Sequence, residues 1–552
     1  MALEKFEYPI WGTVTHSWLP AIFPTYPEFA LGLDLGVASK KSAGGQLYAQ
    51  GLAQNTRTFE RHYQYVSEAE RAAYEAFRVA VGGDRFLFTD ELGVVRVARF
   101  ADYALRWPAM LDRWEFSLAL RVEESLVVPD LSFVPSGLRP NVLFYAALTA
   151  NLSAYSKLSF PTFTFARNSP ATYTDPVSGL LATAAANAPR FETAGISFER
   201  AATNLFVRSS ELNLSPWSAL FLSTVNVNAV AGPSGAVDFE TIVEDNNNQA
   251  HAALQQGAAF SAGSKITYSF DAKPGARGWL ALQILDPTFT HYVTAWFDLS
   301  AGTVGSIVVG GAASAQAHRI TVAPNGCYRC SVSGILDGSS TSSYGYCYIS
   351  TGNGVVVYAG NGVGSIHGGN AQMELGDLPT SRIATAGAIA TRNADDLTLG
   401  ETGHAKPSSG TIIFLVDVGV VDSGADAYQL FDAVAASGTT GVEIVIDGNA
   451  VRARVYSGGA TVANLTGGAV FTAGVTKKIG LAWQVNDFRL VIDGAQVASD
   501  SSGAAPTALH GTTLTVGKRA NNTRRLIGHI RKPLTFDVAL SSADIITIQS
   551  AI

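Results

Sequence analysis

Two short hydrophobic segments near the end of the chain are each interrupted by an Asp-Gly pair. The segments are VEIVIDGNAVRARVY, with the pair at 447–448, and FRLVIDGAQVASD, with the pair at 493–494. Because Asp-Gly readily adopts the backbone conformation of a two-residue β-turn, each segment predicts a β-hairpin. Asn486-Asp487, between KKIGLAWQV and FRLVI, predicts another turn. The C-terminal unit, residues 401–552, is therefore predicted to be a β-sandwich.

Turn signals of this kind extend over much of the chain. From Trp217 to about residue 400 they recur about every 8–12 residues between strand-like segments, a spacing typical of a sandwich of jelly-roll type. The 552 residues include 54 Gly and only 15% charged residues, which suits many tight turns. A chain of this length exceeds a single hydrophobic core. We therefore predict an all-β multidomain protein with a jelly-roll domain at 213–400.

One segment of the N-terminal unit predicts a helix. In SEAERAAYEAFRVAVGG, Ser67 and Glu70 form a capping box, and a Gly pair follows Val81. Tyr74, Phe77 and Val81 fall on one face, as in an amphipathic helix packed on a core.

The rest of this unit predicts strands. DRFLFTDELGVVRVARF predicts a hairpin around 91–93, and RWEFSLALRVEE alternates as a half-buried strand does. Residues 1–125 are thus predicted to be a β-sandwich or barrel with one helix.

A connector is predicted at 126–212, and it contains RNSPATYTDPVSGLLATAAANAPRFE, residues 167–192. Pro170, Pro176 and Pro189 exclude a helix there. Asp-Pro at 175–176 and Ser-Gly at 178–179 predict turns. The segment is predicted to be an extended strap.

Motifs of nucleotide, metal and hydrolase sites do not occur. The nine histidines form no HxH, HExxH or Hx₃H pair, and no GxSxG, P-loop or Rossmann glycine pattern is found. Cys327 and Cys330 lie in an alternating segment, on opposite faces of a strand, so they are predicted, with Cys347, to be buried thiols. No metal site and no cofactor are predicted, although the polar loop EDNNNQAH, 244–251, could contact a calcium ion.

Carboxylates could support glycan hydrolysis, which needs a pair of them. No pair is placed by the sequence and no β-helix repeat is present, so no catalytic residue is predicted; a tail-associated glycan hydrolase remains an alternative. The candidates are Glu244, Asp245, Asp271, Asp286, Asp298, Asp395, Asp396 and Glu443.

Aromatic side chains in the central unit are candidates for sugar binding, since an aromatic ring can cover the apolar face of a pyranose. The alternative for each is packing in the core. The candidates are Trp279, Tyr292, Trp296, Tyr344 and Tyr346.

Basic residues cluster near the C-terminus although the chain has a net charge of −7. The cluster could contact an anionic glycan, an acidic neighbouring subunit or solvent only. It comprises Lys518, Arg519, Arg524, Arg525, Arg531 and Lys532. The acidic balance argues against nucleic acid as the main partner, and no apolar run is long enough for a membrane span.

Three parts of the chain resemble known families. Residues 1–125, with the capped helix, FLFTDELGVVRVARF and the final alternating strand, resemble the N-terminal β-barrel of distal tail proteins of long, flexible-tailed phages. Residues 163–212, with RNSPATY…ANAPRFE and FERAATNLFVRSSEL, resemble a segment that precedes a carbohydrate-binding-module-like jelly roll in phage tail and fibre proteins. The C-terminal unit, with LTVGKR…LIGHIRKPLTFDVALSSADI, resembles concanavalin-like (laminin-G-like) lectin domains.

These resemblances imply a structural protein at the distal end of a phage tail in the virion. It would form a hexameric ring, contact the tail tube protein and the tail hub or baseplate proteins, and bind host surface polysaccharide without turnover. A trimeric minor tail or fibre-attachment scaffold that binds no sugar is the alternative. Arg167, Arg190 and Glu192 would fasten the strap through charge-assisted hydrogen bonds.

Overall fold

The structure, a computed structural model, describes the last two thirds of the chain almost continuously. The ranges are 163–399, 406–419, 428–434, 440–469, 471–509, 514–519 and 523–552. Before residue 163 it describes residues 133–135, 138 and 148 and the elements named below.

The N-terminal unit is built on one six-stranded antiparallel sheet in the order β2-β1-β6-β7-β8-β5. Its elements are β1 (Lys5–Tyr8), β2 (His16–Trp18), β3 (Lys40–Lys41), β4 (Leu47–Tyr48), β5 (Thr56–Val66), α1 (Glu68–Val81), β6 (Phe86–Thr89), β7 (Val95–Arg106) and β8 (Trp114–Glu123). The short strands β3 and β4 pair separately. The antiparallel pairing of β6 with β7 confirms the predicted hairpin, while its turn at 91–93 lies outside the described residues.

Helix α1 buries the face that the sequence predicts. Tyr74, Phe77 and Val81 are buried, and the rings of Tyr74 and Phe77 meet Phe100 of β7 edge to face at 6.1 and 6.4 Å. The helix lies against β1 and β2. Ser67, the predicted capping residue, lies outside the described residues.

Seven short strands are described in the predicted connector before residue 200. They are β9 (Val142–Ala146), β10 (Ala154–Ser156), β11 (Thr164–Ala166), β12 (Ala171–Thr174), β13 (Leu181–Ala184), β14 (Phe191–Glu192) and β15 (Gly195–Phe198). β12 and β13 form a hairpin. The Asp175 carboxylate accepts hydrogen bonds from Ser178 inside the turn between them, so the predicted turn is confirmed.

The central unit is a sandwich of two six-stranded antiparallel sheets. One sheet has the order β17-β21-β28-β23-β24-β25 and the other β18-β19-β30-β22-β27-β26. The strands of the unit, four of which (β16, β20, β29 and β31) lie outside these two sheets, are β16 (Ala202–Asn204), β17 (Ser218–Leu220), β18 (Leu222–Ala231), β19 (Val237–Glu244), β20 (Asn248–Ala250), β21 (Ala252–Gln256), β22 (Ile266–Pro274), β23 (Trp279–Leu285), β24 (Tyr292–Asp298), β25 (Thr303–Gly310), β26 (Ser314–Ala323), β27 (Cys327–Ile335), β28 (Tyr344–Ser350), β29 (Val357–Ala359), β30 (Ser365–Leu375) and β31 (Ala390–Arg392). β16 pairs with β31 where the chain enters and leaves the sandwich.

The C-terminal unit contributes the remaining strands and a short helix. They are β32 (Asp396–Leu399), β33 (Ser409–Val418), β34 (Tyr428–Val434), β35 (Gly441–Asp447), β36 (Ala450–Ser457), β37 (Ala460–Ala469), β38 (Lys477–Gln484), β39 (Asp487–Ile492), β40 (Ala495–Asp500), β41 (Leu514–Val516), β42 (Gly528–Phe536) and α2 (Ser542–Ala551). The hairpins β35–β36, β38–β39 and β39–β40 form where the sequence predicts chain reversal. Their two-residue turns are 448–449, 485–486 and 493–494, so the first lies one residue after the predicted pair and the second one residue before it. Asp493 and Gly494 both have positive φ, +49° and +78°, as a two-residue hairpin of this kind requires.

Strands from the predicted connector belong to the two sheets of this C-terminal sandwich. β9 and β15 both pair with β42, and β11 pairs with β32. One large core lies between the sheets and includes Phe165 and Phe198 from the connector beside Trp483. The central unit is therefore inserted between two parts of the C-terminal sandwich.

The strap is fastened by a buried ion network. Arg167 binds Asp395 at 3.0 Å, and Arg190 binds Asp395 at 2.5 Å and Glu199 at 2.6 Å. Glu192 accepts a hydrogen bond from the Thr174 backbone amide. The prediction that Arg167, Arg190 and Glu192 fasten the strap through charged groups is confirmed.

The three cysteines are free and buried, as predicted. Cys330 and Cys347 lie in the main core of the central sandwich, whereas Cys327 packs with Phe239 and Ala323 on the other face of β27. Burial raises the pKa of Cys327 to about 12, so the thiol is neutral.

Candidate functional site

One sheet of the central sandwich is apolar on both faces. In β23, Leu280, Leu282 and Ile284 point into the core between the sheets. The alternate residues Trp279 and Ala281 belong to a second apolar cluster on the opposite face. Because successive side chains of a strand alternate between faces, this second cluster lies on the side turned away from the core.

We call this outward surface the aromatic face. Its side chains come from neighbouring strands β28, β23 and β24, whose register places them in rows across the sheet. They are Tyr344, Tyr346, Tyr348, Trp279, Ala281, Gln283, Leu285, Tyr292, Thr294 and Trp296. All five aromatic residues that the sequence nominates for sugar binding therefore lie on one surface.

Aromatic rings follow one another along this face. Phe289 stacks on Tyr344 at 5.7 Å between ring centroids, and Tyr346 stacks on Tyr348 at 5.4 Å. Tyr344 and Tyr346 are 6.3 Å apart. The ring of Tyr292 lies over Gly310, where a Cβ atom would come within 2.1 Å of it.

A polar strip crosses the middle of the aromatic face. Gln283 lies between Tyr346 and Thr294 in the register. Its amide nitrogen donates to the Thr294 hydroxyl at 2.7 Å, and its oxygen accepts from the Tyr348 hydroxyl at 2.9 Å. Amide and hydroxyl groups between aromatic rings are the groups that can bind sugar hydroxyls.

The members of the face differ in exposure. Trp296 and Tyr346 are only 5% and 7% exposed, and the Trp296 indole donates to the Val355 carbonyl at 3.1 Å. Trp279, Tyr292 and Tyr344 are half-buried. The accessible rings are therefore those of Trp279, Tyr292 and Tyr344, together with Phe289, which is 60% exposed, whereas Trp296 and Tyr346 are almost completely covered.

Burial also keeps the phenols of this face neutral. It raises the pKa of Tyr346 and of Tyr348 above the usual value for tyrosine. A neutral phenol both donates and accepts a hydrogen bond.

The sequence analysis missed four aromatic or polar contributors to this face. Tyr348 and Gln283 follow from the two-residue period of their strands, since each is separated by an even number of positions from a nominated residue. Thr294, in the same way, lies between Tyr292 and Trp296. Phe289 sits in a turn with φ of +61°, and no sequence signal places its ring on Tyr344.

Most side chains of the basic cluster contact carboxylates of the protein itself. Lys518 and Arg525 pair with Asp396, and Arg519 and Arg524 lie 3.9 and 4.0 Å from Glu443.

The last two members of the cluster lie elsewhere on the sandwich. Arg531 donates to the Thr193 carbonyl at 3.3 Å, and the Lys532 ammonium lies 5.4 Å from the centre of the Phe133 ring. All six side chains are buried or half-buried rather than projecting as one surface patch.

The candidate carboxylates are dispersed, and most have internal partners. Glu244 accepts from Arg277 and Tyr358, and Asp271 binds Arg329 and Arg382. Three others accept hydrogen bonds from backbone amides of the turns that follow them: Asp245 from Asn247, Asp286 from Thr288, Thr290 and His291, and Asp298 from Ser300 and Ala301. Asp395 and Asp396 take part in the ion pairs given above.

Glu443 is the candidate that has a second carboxylate directly opposite. Asp432 of β34 is its cross-strand partner. Burial raises the pKa of Glu443, but hydrogen bonds from Tyr456, Arg454 and Gln429 outweigh burial and lower it below the usual value. Glu443 is thus held ionised by its neighbours.

The polar loop at 244–251 does not gather a set of metal ligands. Glu244 accepts a hydrogen bond from Arg277, and the His251 ring nitrogen lies 2.6 Å from the Phe221 carbonyl oxygen. Within the described ranges no three His, Cys, Asp or Glu side chains are placed to hold a metal ion. Neither described helix is long and apolar enough to cross a membrane.

Comparison with known proteins identifies the C-terminal sandwich. Residues 391–546 match a family model described as the concanavalin A-like lectin/glucanases superfamily. The resemblance of this unit to concanavalin-like lectin domains is confirmed, and the chain is an all-β multidomain protein with a lectin-like domain. Strands β9, β11 and β15, which complete the sheets of that domain, precede the matched residues.

Solved structures show partial likeness to the chain. The receptor-binding domain of botulinum neurotoxin mosaic serotype C/D shares 12% identity, with 28% of this chain and 40% of that chain covered and a TM-score of 0.24. The binding domain of Paraclostridial Mosquitocidal Protein 1 shares 13% identity, with 28% of this chain and 43% of that chain covered and a TM-score of 0.23. The CBM40 of Ruminococcus gnavus IT-sialidase also shares 13% identity, with 26% of this chain and 83% of that chain covered and a TM-score of 0.23.

The chain spans about two fifths of the length of the two toxin domains. At scores this low, the likenesses carry no inference about what this chain binds. No curated protein matches the sequence.

Proposed function

We propose that the chain is an adhesion protein that binds uncharged glycans on the aromatic face of its central sandwich, without turnover. The observation that carries the proposal is the convergence of Trp279, Tyr292 and Tyr344 on one outward surface. An apolar outer face on an antiparallel sheet is unusual unless something binds there. Aromatic rings and the polar strip supply the two kinds of contact that a sugar needs.

The chemistry of the face supports a neutral ligand. The outward side chains of β28, β23 and β24 between its ends are aromatic, aliphatic, amide or hydroxyl groups. The carboxylate of Asp298, at one end, accepts from the Ser300 and Ala301 backbone amides. Without charged groups on the face, binding should depend little on salt.

Binding of the full-length chain to immobilised oligosaccharides, both neutral and acidic, tests the proposal. We expect at least one neutral oligosaccharide to bind, with little change between physiological and about 1 M ionic strength. Tyr344→Ala and Trp279→Ala should each weaken that binding about tenfold, because each removes an accessible ring.

Tyr173→Ala is the matched control, since Tyr173 is a half-buried tyrosine on the β12–β13 hairpin, away from the face. It should leave the binding of neutral oligosaccharides unchanged. If no neutral oligosaccharide binds, or if all three variants bind alike, the aromatic face is not the glycan site.

The wider role that we propose is that of a distal tail protein at the tip of a phage tail in the virion. What supports it is the resemblance of residues 1–125 and 163–212 to segments of phage tail proteins. In this role the N-terminal unit would form a hexameric ring in contact with the tail tube and with hub or baseplate proteins. The outer modules would then bind host polysaccharide with the avidity of several copies.

Light scattering combined with negative-stain images of the purified full-length chain tests the assembly. A hexameric ring with a central hole and radiating knobs is the expected result. A compact trimer would favour the fibre-attachment scaffold instead, and loss of glycan binding in that state would remove the adhesive role as well.

One observation favours a glycan hydrolase as a second candidate. Asp432 and Glu443 face each other across β34 and β35 in a lectin/glucanase-type sandwich, and two carboxylates are what hydrolysis requires. Release of reducing sugar that Glu443→Gln abolishes would establish the hydrolase. Glu443 is instead completely buried and its carboxylate accepts hydrogen bonds from Tyr456, Arg454 and Gln429, which supports binding without turnover.

A further inference from the structure

A cavity of about 260 Å³ lies where the strap, the central sandwich and the C-terminal sandwich meet. Residues of all three parts form its wall, so no part alone provides it. Its charged lining is mostly cationic. The cations are Arg190, Arg319, Arg329, Arg382 and His529, and the carboxylates are Glu192 and Glu199.

Two of the arginines share a single carboxylate. The Arg382 Nε lies 2.6 Å from Asp271 Oδ2, and the Arg329 Nη1 lies 3.2 Å from Asp271 Oδ1. Asp271 is fully buried behind the cavity wall. One carboxylate cannot neutralise two guanidinium groups, so this side of the cavity keeps a positive charge.

The strap side has a similar excess. Arg190 belongs to the network in which Arg167, Arg190 and Arg392 share the carboxylates of Asp395 and Glu199. Arg190 is only 1% exposed, and its Nε has no hydrogen-bond partner among the described residues. A buried N–H without a partner costs free energy that a bound acceptor would recover.

Arg319 adds a cation with little to bind. It donates to the Gly419 carbonyl at 3.0 Å, across the boundary between the sandwiches. Within the part of the chain that the structure describes, no carboxylate lies within 4.0 Å of it. A guanidinium has five N–H donors in a fork that suits a carboxylate or a phosphate.

His529 also lines the cavity, but it is one cation in contact with two carboxylates. Glu192 and Asp417 both contact its ring, at 2.8 and 3.7 Å. With His529, the cations at the cavity and in the networks behind it are Arg319, Arg329, Arg382, Arg190, Arg167 and Arg392. They outnumber the carboxylates that they contact, which are Asp271, Asp395, Glu199, Glu192 and Asp417, so a net positive charge remains.

We propose that this junction binds a small oxyanion, a carboxylate or phosphate group, between the central and C-terminal sandwiches. The guanidinium of Arg319 would be its principal partner, with Arg329, Arg382 and Arg190 supplying the surrounding positive field. A cavity of this volume is smaller than the roughly 300–1,000 Å³ of sites for drug-sized ligands, which suits one charged group or one sugar unit. The site is separate from the aromatic face, so either proposal can fail alone.

Isothermal titration calorimetry of the full-length chain tests the site with two probes, inorganic phosphate and glucuronate, and with glucose as the uncharged comparison. We expect at least one anion to bind, more weakly as salt rises, and glucose not to bind at this site. Arg319→Gln should weaken anion binding about tenfold. Lys265→Gln removes a positive charge from the central sandwich at the Asp377 pair and should have no effect.

A second pair of variants, at exposed positions, keeps the test valid if Arg319→Gln does not fold. Val322 lines the cavity and is 86% exposed, so Val322→Glu adds a carboxylate at the rim without disturbing the core. Val363→Glu, at another exposed valine, is its control. Val322→Glu should weaken anion binding, and Val363→Glu should not.

The two probes separate the sources of the anion. Binding of phosphate alone would identify phosphate groups as the ligand, and binding of glucuronate alone would identify an acidic sugar. If neither probe binds, or if Arg319→Gln and Val322→Glu bind as the unaltered chain does, the proposal is overturned.

Discussion

Arg167 and Asp395, 228 residues apart in the sequence, form an ion pair that is completely buried. The Arg167 guanidinium also donates to the carbonyls of Ser169, Ala185 and Ala188. The pair therefore joins the strap to the point where the chain leaves the central sandwich. The entry and exit of the inserted domain are fixed by one cluster of charges.

Asp395→Asn should destabilise the protein strongly. It removes the negative charge that Arg167, Arg190 and Arg392 share, and breaking a buried ion pair costs about 3–5 kcal/mol. Urea unfolding of the lectin-like domain measures the loss. Asp377→Asn, at a pair whose carboxylate is 54% exposed, is the control and should cost less than about 1 kcal/mol. Equal effects would mean that the network does not hold the strap.

Stability should fall as the pH rises through the titration of His529. Burial lowers its pKa, but Asp417 and Glu192 outweigh burial and raise the pKa to about 9, compared with 6.5 for an ordinary histidine. The folded state thus holds a proton that the unfolded state has released. The stabilisation is complete below pH 6.5 and is lost as the pH rises through about 9, and it is on the order of 3 kcal/mol.

His529→Gln should remove this pH dependence. Unfolding curves recorded between pH 6 and 10 would then be closer together for the variant than for the unaltered chain. A variant with the same slope over that range would show that the His529–Glu192 contact contributes no proton-linked stability.

Glu240→Gln should stabilise the protein at alkaline pH. Burial raises the pKa of Glu240 from 4.5 to about 7, and the Leu212 backbone amide donates to its carboxyl at 2.7 Å. Because the folded pKa is raised, stability falls as the pH rises from 4.5 to about 7 and stays low above that. Glutamine keeps the acceptor oxygen without the charge, so the gain at pH 8 should approach, at most, about 3 kcal/mol.

Thermal unfolding at pH 4 and pH 8 checks this prediction. The two proteins should have similar midpoints at pH 4, where Glu240 is protonated in both states, and separate at pH 8. A lower midpoint for Glu240→Gln at pH 8 would contradict it.

A fragment of residues 391–552 should not fold stably by itself. It lacks β9, β11 and β15, so β42 and β32 would present unpaired edges and the core would lose Phe165 and Phe198. A fragment of residues 202–392, which contains both β16 and β31, should unfold cooperatively. Circular dichroism and urea titration of both fragments compare them. A cooperative transition in the first fragment would mean that the earlier strands are dispensable.

Much of the candidate site could be predicted from the sequence. The sequence identifies Trp279, Tyr292 and Trp296 as candidates for sugar binding because an aromatic ring can cover the apolar face of a pyranose, but it leaves their orientation open between core and surface. The strand register decides it, because Trp279 and Leu280 are adjacent in sequence and lie on opposite sides of the sheet. The stacking of Phe289 on Tyr344 depends on a loop conformation that no local pattern specifies.

The sequence by itself determined the local structure of this protein. Hairpins form at the Asp-Gly pairs 447–448 and 493–494, where Gly448, Asp493 and Gly494 adopt positive φ, and α1 forms where apolar residues recur with the helical period. The strap is extended because its prolines forbid a helix. These are properties of neighbouring residues, which the sequence displays directly.

Only the tertiary structure decided which strands share a sheet. The strap contains no signal that β15 pairs with β42, more than three hundred residues later, since hydrogen bonds between strands are made by the backbone and are independent of residue type. The partners of Arg190 and the cavity among the three parts of the chain depend on that pairing. Long-range register is set by the packing of the whole core, and the sequence alone does not contain it in any local pattern.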